Sequence, residues 1–119
     1  MKTISRDALK TKMDRGEKFF LVETLAESCY QHSHLPGAIH LSPFAAQRDA
    51  PAILPDKSAL IVLYCQDITC LASGDVTEKL QAMGYGNVRV YEGGKQDWIE
   101  AGLPMEGRRT NPASNGRVK

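Results

Sequence analysis

The feature that most constrains the fold is residues 60–74, LIVLYCQDITCLASG, which join an apolar run, a cysteine and a helix-forming segment. The first five residues are all apolar and two are β-branched, which predicts a short strand covered on both faces, as in the middle of a parallel sheet. After a polar loop, Ala72, Val76 and Leu80 recur at helical spacing and predict a helix with one apolar face. The stretch therefore predicts a buried strand, then Cys65, a loop and a helix.

Cys65 follows the predicted strand at the point where α/β folds bind their ligands, the carboxyl edge of the sheet. The first turn of the next helix offers unpaired N–H groups and the positive end of the helix dipole, which favour an anion. A thiolate is such an anion, so we expect the pKa of Cys65 to lie below the reference of about 8.5. The alternative is that Cys65 is a buried structural cysteine. Its polar neighbours Gln66 and Asp67 favour a reactive cysteine instead.

Composition indicates one globular domain, because 42% of the 119 residues are hydrophobic and 24% are charged. No stretch approaches the roughly 20 apolar residues of a membrane span. The charged N-terminus has no signal-peptide core, and an odd number of cysteines, three, argues against a secreted disulfide framework. We therefore expect a cytoplasmic protein without a membrane partner.

Charge is distributed unevenly between the body of the chain and its end. Residues 107–119 carry four basic side chains and no acidic one, and they contain little that can be buried. We expect them to form a flexible basic C-terminal tail. Residues 1–106 hold 11 basic and 14 acidic side chains, which gives no support to a nucleic-acid partner.

Strands and helices alternate along the whole chain. Further strands are predicted at 19–22, 38–41 and 87–91, and further helices after Ser5, at 26–32 and at 95–101. Residues 42–57 contain three prolines and little pattern beyond a possible turn at 44–48. The alternation predicts an α/β fold with a central, mainly parallel sheet of about five strands and helices on both faces.

With these elements placed, the chain resembles a single-domain rhodanese, a member of a sulfurtransferase family. Three motifs carry the resemblance, and they are HLPGAI at 34–39, VLYC at 62–65, and YEGG at 91–94 followed by Trp98 and by AGLP at 101–104. The resemblance covers residues 1–106 and implies a rhodanese-like domain over that range.

The resemblance also implies an enzyme in which Cys65 is the catalytic nucleophile. Cys65 would take sulfane sulfur from a small-molecule or protein donor, hold it as a persulfide, and pass it to a thiol or to cyanide. Backbone N–H groups of the active-site loop would cradle the persulfide, without a cofactor or a metal. The loop consists of Gln66, Asp67, Ile68, Thr69, Cys70 and Leu71.

The loop departs from the usual family pattern in its charge. The family usually has a glycine three residues after the cysteine and an arginine five residues after it, and this chain has Ile68 and Cys70 at those positions. Upstream, this chain has Glu23-Thr24-Leu25 where Asp-Val-Arg is common. A missing cation beside the thiosulfate dianion costs on the order of 1–3 kcal/mol, by analogy with hydrogen bonds to charged groups. We therefore expect weak thiosulfate activity, with a persulfide as the better donor.

Cys70 and three other residues are further candidates for the site. Cys70 is either a resolving thiol, which attacks a Cys65 persulfide to give an intraloop disulfide, or a small side chain packed under the loop. Glu23 either binds loop amides or is a solvated carboxylate at a strand end. Gly94 and Trp98 are expected beside the pocket, with Trp98 in the core or in the pocket wall.

The remaining cysteine and the histidines are expected to be structural. Cys29 lies in a short helical segment, where packing is the commoner role. His32, His34 and His40 suggest zinc, but no cysteine or carboxylate accompanies them at ligand spacing. We therefore predict no metal site, and a hydrogen bond from His34 to the backbone.

Two other functions compete with sulfur transfer. A cysteine phosphatase or arsenate reductase also uses a cysteine between a strand and a helix, but it needs an arginine six residues after the cysteine, where this chain has Leu71. A rhodanese-like module used for binding or redox sensing, without catalysis, is the second alternative, and the atypical loop favours it.

Overall fold

The computed structural model describes residues 2–107, which form an α/β fold. The helices are α1 (Arg6–Asp14), α2 (Glu27–His32), α3 (Ala46–Ile53), α4 (Ala72–Ala82) and α5 (Gly94–Glu100). The strands are β1 (Phe20–Glu23), β2 (Ile39–His40), β3 (Ile61–Tyr64) and β4 (Val88–Tyr91). All neighbouring strands are parallel, in the order β2-β1-β3-β4. The predicted α/β architecture is confirmed.

The sheet of residues 2–107 has four strands where about five were expected, and Thr3 forms only an isolated parallel bridge with Val90 beside β4. Ser5 caps α1 as expected, because its side chain accepts a hydrogen bond from the Ala8 N–H at 3.1 Å. The predicted basic tail lies, apart from Gly107, outside the described residues. No helix among residues 2–107 has the length and apolar character needed to cross a membrane.

The sheet has helices on both faces, so its central strand is buried throughout. One face of the sheet packs against α3 and α4, and its core consists of Val22, Leu41, Ala46, Ala50, Leu54, Ile61, Leu63, Val76, Leu80, Tyr85 and Val88. The other face packs against α1 and α5, and its core consists of Leu9, Leu21, Leu35, Ala38, Val62, Tyr64, Tyr91 and Trp98. Alternate residues of β3 belong to opposite cores, which explains its continuous apolar sequence.

Helix α3 occupies a segment in which the sequence indicated only a turn. Pro51 lies inside the helix and removes one backbone donor, a change that disfavours helices in isolation. Tertiary packing compensates, because Ala46 and Ala50 are completely buried. The Tyr85 hydroxyl also donates to the carbonyl oxygens of Ala50, at 3.2 Å, and Leu54, at 2.6 Å, so it holds the end of the helix.

Candidate active site

The register of the sheet places the ends of three strands at one edge. Glu23 is opposite Tyr64, and Tyr64 is opposite Tyr91, so β1, β3 and β4 end level with one another. Cys65 follows β3 directly, and residues 66–71 connect it to α4. The structure therefore places Cys65 at the carboxyl edge of the sheet, between a buried strand and a helix start.

The Cys65 thiol is enclosed, with 2% of the residue exposed to solvent. Its sulfur lies 3.7 Å from the Ser73 Oγ, and the Ser73 N–H also points toward it. Burial raises the pKa of Cys65, interaction with the Cys70 thiol raises it further, and the two Ser73 groups oppose the change. The prediction of a lowered pKa is therefore wrong in this structure, because desolvation outweighs the helix N-terminus.

Two of the loop amides bind within the loop itself. The Thr69 N–H donates to the Asp67 Oδ1 at 3.0 Å, and the Cys70 N–H donates to the Asp67 carbonyl oxygen at 3.1 Å. The Thr69 hydroxyl donates to the same carboxylate at 2.6 Å, and these bonds lower the pKa of Asp67. Two amides that were expected to face the sulfur are therefore used inside the turn, and Ser73 is the residue whose amide reaches Cys65.

Cys70 returns toward Cys65 at the end of this turn. Its thiol contributes to the raised pKa of Cys65, five positions earlier in the sequence. Cys70 is half-buried and a free thiol, whereas Cys65 is buried. Both predicted roles of Cys70, a resolving thiol and a small side chain packed under the loop, stay predictions.

The outer side of the loop is apolar and exposed. Ile68 is 72% exposed and Leu71 is 82% exposed, while Phe44, before α3, is completely exposed. Residues 66–71 contain no basic side chain. A small dianion therefore has no cation in the loop to bind, whereas an apolar partner surface has exposed side chains to contact.

Glu23 is neither solvated nor bound to loop amides. It is completely buried, and the Tyr64 hydroxyl donates to its Oε1 at 2.9 Å while accepting the Leu35 N–H at 3.0 Å. Lys95 is also buried, with its Nζ 3.0 Å from Oε2 of Glu23 and 2.9 Å from the carbonyl oxygen of Cys29. Burial raises the pKa of Glu23, and Lys95 and Tyr64 partly offset this. The predicted pocket role of Glu23 is replaced by a buried ion pair.

Gly94 supports the site by its close approach to the loop backbone. Its φ is +64°, and a Cβ at this position would lie 2.4 Å from the Cys65 carbonyl oxygen. The Lys95 N–H donates to that same oxygen at 2.9 Å, and the Gln96 N–H donates to the Gln66 carbonyl oxygen at 2.9 Å. The start of α5 is thereby joined to the beginning of the loop.

Trp98 belongs to the core and not to a pocket wall. It is completely buried, donates from its Nε1 to the Pro104 carbonyl oxygen at 2.7 Å, and packs edge-to-face on Tyr91. His34 contacts backbone as predicted, with its Nδ1 2.8 Å from the Tyr30 carbonyl oxygen. The expectation that Cys29 is packed is wrong, because this cysteine is exposed.

A groove of about 570 Å³ opens beside the loop at the same edge of the sheet. Its walls come from the segments after β1 and β2, from α3 and from the first residue of α4, and they include Thr24, His40, Phe44, Arg48 and Ala72. Arg48 pairs with Asp49, with the Nε 2.8 Å from the Oδ1. Cys65 is not among the residues that line the groove.

The sequence analysis missed two residues that contact this site, Ser73 and Lys95. Ser73 could have been predicted from the sequence, because its hydroxyl lies in the first turn of the helix that follows Cys65. The sequence gives a weaker indication for Lys95. This lysine directly follows Gly93-Gly94, in the helix that also carries the buried Trp98. Its partner Glu23 is 72 positions away, so the pairing itself is a tertiary feature.

Comparison with known proteins gives one family match and several structural relatives. A family model for the rhodanese-like domain matches residues 5–101. The chain is 32% identical over 103 residues to the HTH-type transcriptional regulator Rv0324 of Mycobacterium tuberculosis, covering 87% of this chain and 44% of that one. The chain thus spans less than half the length of this curated relative.

Two solved structures illustrate the similarity in fold. The BH2092 protein from Bacillus halodurans superposes with a TM-score of 0.84 at 22% identity, over 91% of this chain and 78% of that one. A rhodanese with anions from E. coli superposes with a TM-score of 0.63 at 25% identity, over 76% of this chain and 100% of that one.

Proposed function

This chain belongs to the rhodanese-like domain family, and on that premise we propose that it is a sulfurtransferase that carries sulfane sulfur as a persulfide on Cys65. The observation that carries the proposal is the position of this thiol between β3 and α4, with the Ser73 N–H and hydroxyl turned toward its sulfur. The E. coli protein of similar fold, a rhodanese, supports the same assignment. Partial charges from Ser73 stabilise an anionic sulfur once the Cys65 proton has left.

Sulfur transfer begins with loss of the Cys65 proton to water and attack of the thiolate on the outer sulfur of a donor persulfide. The sulfur–sulfur bond of the donor breaks, the donor leaves as a thiolate, and Cys65 becomes a persulfide. An acceptor thiolate then attacks that outer sulfur, and Cys65 leaves as a thiolate. Because Cys65 is 2% exposed, both steps require the 66–71 loop to move away from the sulfur.

The charges around the site favour a persulfide donor over thiosulfate. The loop has no basic residue, Lys95 is paired with Glu23, and Arg48 is paired with Asp49. A dianion entering this edge would lose hydration without gaining a free cation. The persulfide group of a protein or low-molecular-weight donor carries at most one negative charge, and the exposed Ile68 and Leu71 offer the donor an apolar contact.

The proposal is tested by loading the protein with glutathione persulfide and following each cysteine-containing peptide by mass spectrometry. The wild type and Cys29→Ser, whose lost thiol is exposed, should gain one sulfur atom on the peptide that contains Cys65 and pass it to cyanide or to an added thiol. Cys65→Ser should do neither. Sulfur transfer by Cys65→Ser at the wild-type rate would overturn the proposal.

A persulfide- or redox-sensing module is the second candidate, favoured by one comparison and one structural feature. The regulator Rv0324 contains a region similar to this chain, and Ile68, Leu71 and Phe44 provide exposed apolar side chains near the reactive cysteine. A sensing module would accept sulfur on Cys65 once per chain, without sustained transfer. Multiple turnovers with a persulfide donor and a thiol acceptor therefore distinguish the enzyme from the sensor.

A further inference from the structure

We propose that Lys95 is a positioning residue of the site, which holds the backbone of Cys65 so that the sulfur of this cysteine stays beside Ser73. This role rests on the proposed function, because it concerns the cysteine that would carry sulfur. The position of the Cys65 thiol can nevertheless be measured without any sulfur transfer.

Lys95 is attached to the site by both its backbone and its side chain. Its N–H donates to the Cys65 carbonyl oxygen at 2.9 Å. Its Nζ lies 3.0 Å from the Oε2 of Glu23, at the end of β1, and donates to the Cys29 carbonyl oxygen, in α2, at 2.9 Å. The residue that holds the Cys65 carbonyl is therefore itself anchored to two other elements by a buried side chain.

The anchored lysine completes a ring of contacts around the end of β3. The Tyr64 hydroxyl donates to the Oε1 of Glu23 at 2.9 Å, so the residue before Cys65 is joined to the same carboxylate. A Cβ at Gly94 would lie 2.4 Å from the Cys65 carbonyl oxygen, so the backbone before Lys95 is in direct contact with that carbonyl. The Glu23–Lys95 pair is therefore connected to Tyr64 through its hydroxyl and to Cys65 through its carbonyl oxygen.

Holding that carbonyl limits the direction in which the Cys65 side chain leaves the backbone. The Cys65 sulfur lies 3.7 Å from the Ser73 Oγ, and a misplacement of about 1 Å is enough to impair a reacting group. A buried ion pair contributes little net stability compared with well-packed neutral residues. The place of the Glu23–Lys95 pair at this edge is therefore better explained by the position that it gives to Cys65.

The test uses Lys95→Met combined with Glu23→Gln, because removing both charges leaves no unpaired ion in the core. The glutamine keeps an oxygen that can accept from the Tyr64 hydroxyl. Urea unfolding checks the stability of this double variant, and Lys95→Gln with the same Glu23→Gln replaces it if it does not fold. Lys18→Met, which removes an exposed lysine, is the control.

Two measurements follow the position of Cys65 in the folded variant. With glutathione persulfide as donor and a thiol as acceptor, kcat should fall about tenfold and KM for the donor should not change, since the lost contact matters for the transfer step. Alkylation of Cys65 by iodoacetamide should become about tenfold faster, because the loop start opens more often. The exposed Cys29 should be alkylated at the wild-type rate and is the internal control.

The outcomes separate the positioning role from the proposed function. A wild-type kcat, or wild-type alkylation of Cys65, in the folded double variant overturns the positioning role and leaves the sulfurtransferase intact. A raised KM with an unchanged kcat also overturns it, because Lys95 would then act on donor binding. Absence of sulfur loading on Cys65 in wild type overturns the proposed function, whereas alkylation still shows whether Lys95 holds the thiol in place.

Discussion

At the scale of single residues, the state of the Cys65 thiol decides how the site works. A half-exposed thiol at a helix start has a lowered pKa. Cys65 is buried instead, and both this burial and the Cys70 thiol raise its pKa. The protein therefore holds this sulfur as a neutral thiol at rest. Reactivity then depends on loop movement and on the incoming donor, and the resting site is protected from oxidation.

We predict that the alkylation rate of Cys65 by iodoacetamide rises with pH to a midpoint above that of an ordinary cysteine, because burial raises the pKa of Cys65. The raised pKa keeps the unreactive neutral form present to higher pH, since the thiolate is the nucleophile. The rate is measured on the Cys65 peptide by mass spectrometry, with a small cysteine peptide as the control. A midpoint below that of the control peptide contradicts the role assigned to burial.

The buried pair of Glu23 and Lys95 predicts a second residue-scale effect. In Lys95→Met, Glu23 loses the ammonium that lowers its pKa, so its pKa rises further above 4.5. The folded protein then retains a proton that the unfolded chain releases, and the free energy of unfolding falls as pH rises through that window. At about pH 8 we expect the free energy of unfolding of Lys95→Met to be about 3 kcal/mol lower than that of wild type, and at about pH 5 we expect a smaller difference.

Urea unfolding at several pH values measures this effect. Lys18→Met removes an exposed lysine and serves as the matched control, with no expected pH-dependent difference from wild type. Adding Glu23→Gln to Lys95→Met should remove the extra pH dependence, because the titrating group is gone. An equal destabilisation of Lys95→Met at both ends of the pH range is inconsistent with a buried titrating carboxylate.

At the scale of elements, the sequence predicted those parts whose cause is local. Strand β3 followed from its apolar run, and α4 followed from its apolar spacing, so the position of Cys65 between them was also predictable. The helix α3 was not, because Pro51 disfavours it locally and the burial of Ala46 and Ala50 favours it only in the folded protein.

The same distinction explains the errors at the site. A helix N-terminus near Cys65 can be read from the sequence, but its effect on the pKa competes with burial, which depends on how the loop folds. Asp67 competes for the amides of Thr69 and Cys70, and such local hydrogen bonds are typical of aspartate in turns. The pairing of Glu23 with Lys95 depends on tertiary structure alone.

The Asp67 turn provides a prediction about the loop as an element. Asp67→Ala removes the acceptor for the Thr69 N–H and hydroxyl, so the loop should open more often over Cys65. If the closed loop loses about 1–1.5 kcal/mol of stability, alkylation of Cys65 should become about tenfold faster. Asp67→Asn removes the charge and keeps a carbonyl acceptor, so it should increase the rate less. Equal rates in both variants would attribute the effect to charge and not to the turn.

At the scale of the whole molecule, the parallel sheet brings the Cys65 sulfur and a groove to one edge, and the cations that residues 2–107 place there are in ion pairs. β1, β3 and β4 end in register, and the groove opens beside them. Lys95, at the start of α5, and Arg48, in the groove wall, are both in ion pairs. Under the proposed function, the fold thus provides the position that carries sulfur, and the charges of residues 2–107 disfavour small dianions.

This charge distribution predicts that thiosulfate–cyanide activity is weak and that Cys70→Arg increases it. The guanidinium would stand five residues after Cys65 and bind the donor through charge-assisted hydrogen bonds. Such a contact contributes about 1–3 kcal/mol, so kcat/KM for thiosulfate should rise about tenfold or more. Cys70→Ser loses the same thiol without gaining a charge, so it measures the effect of removing the thiol alone, and its gain in thiosulfate activity should be smaller than that of Cys70→Arg. If Cys70→Ser gains as much as Cys70→Arg, then the Cys70 thiol, and not the missing cation, limits the reaction with thiosulfate.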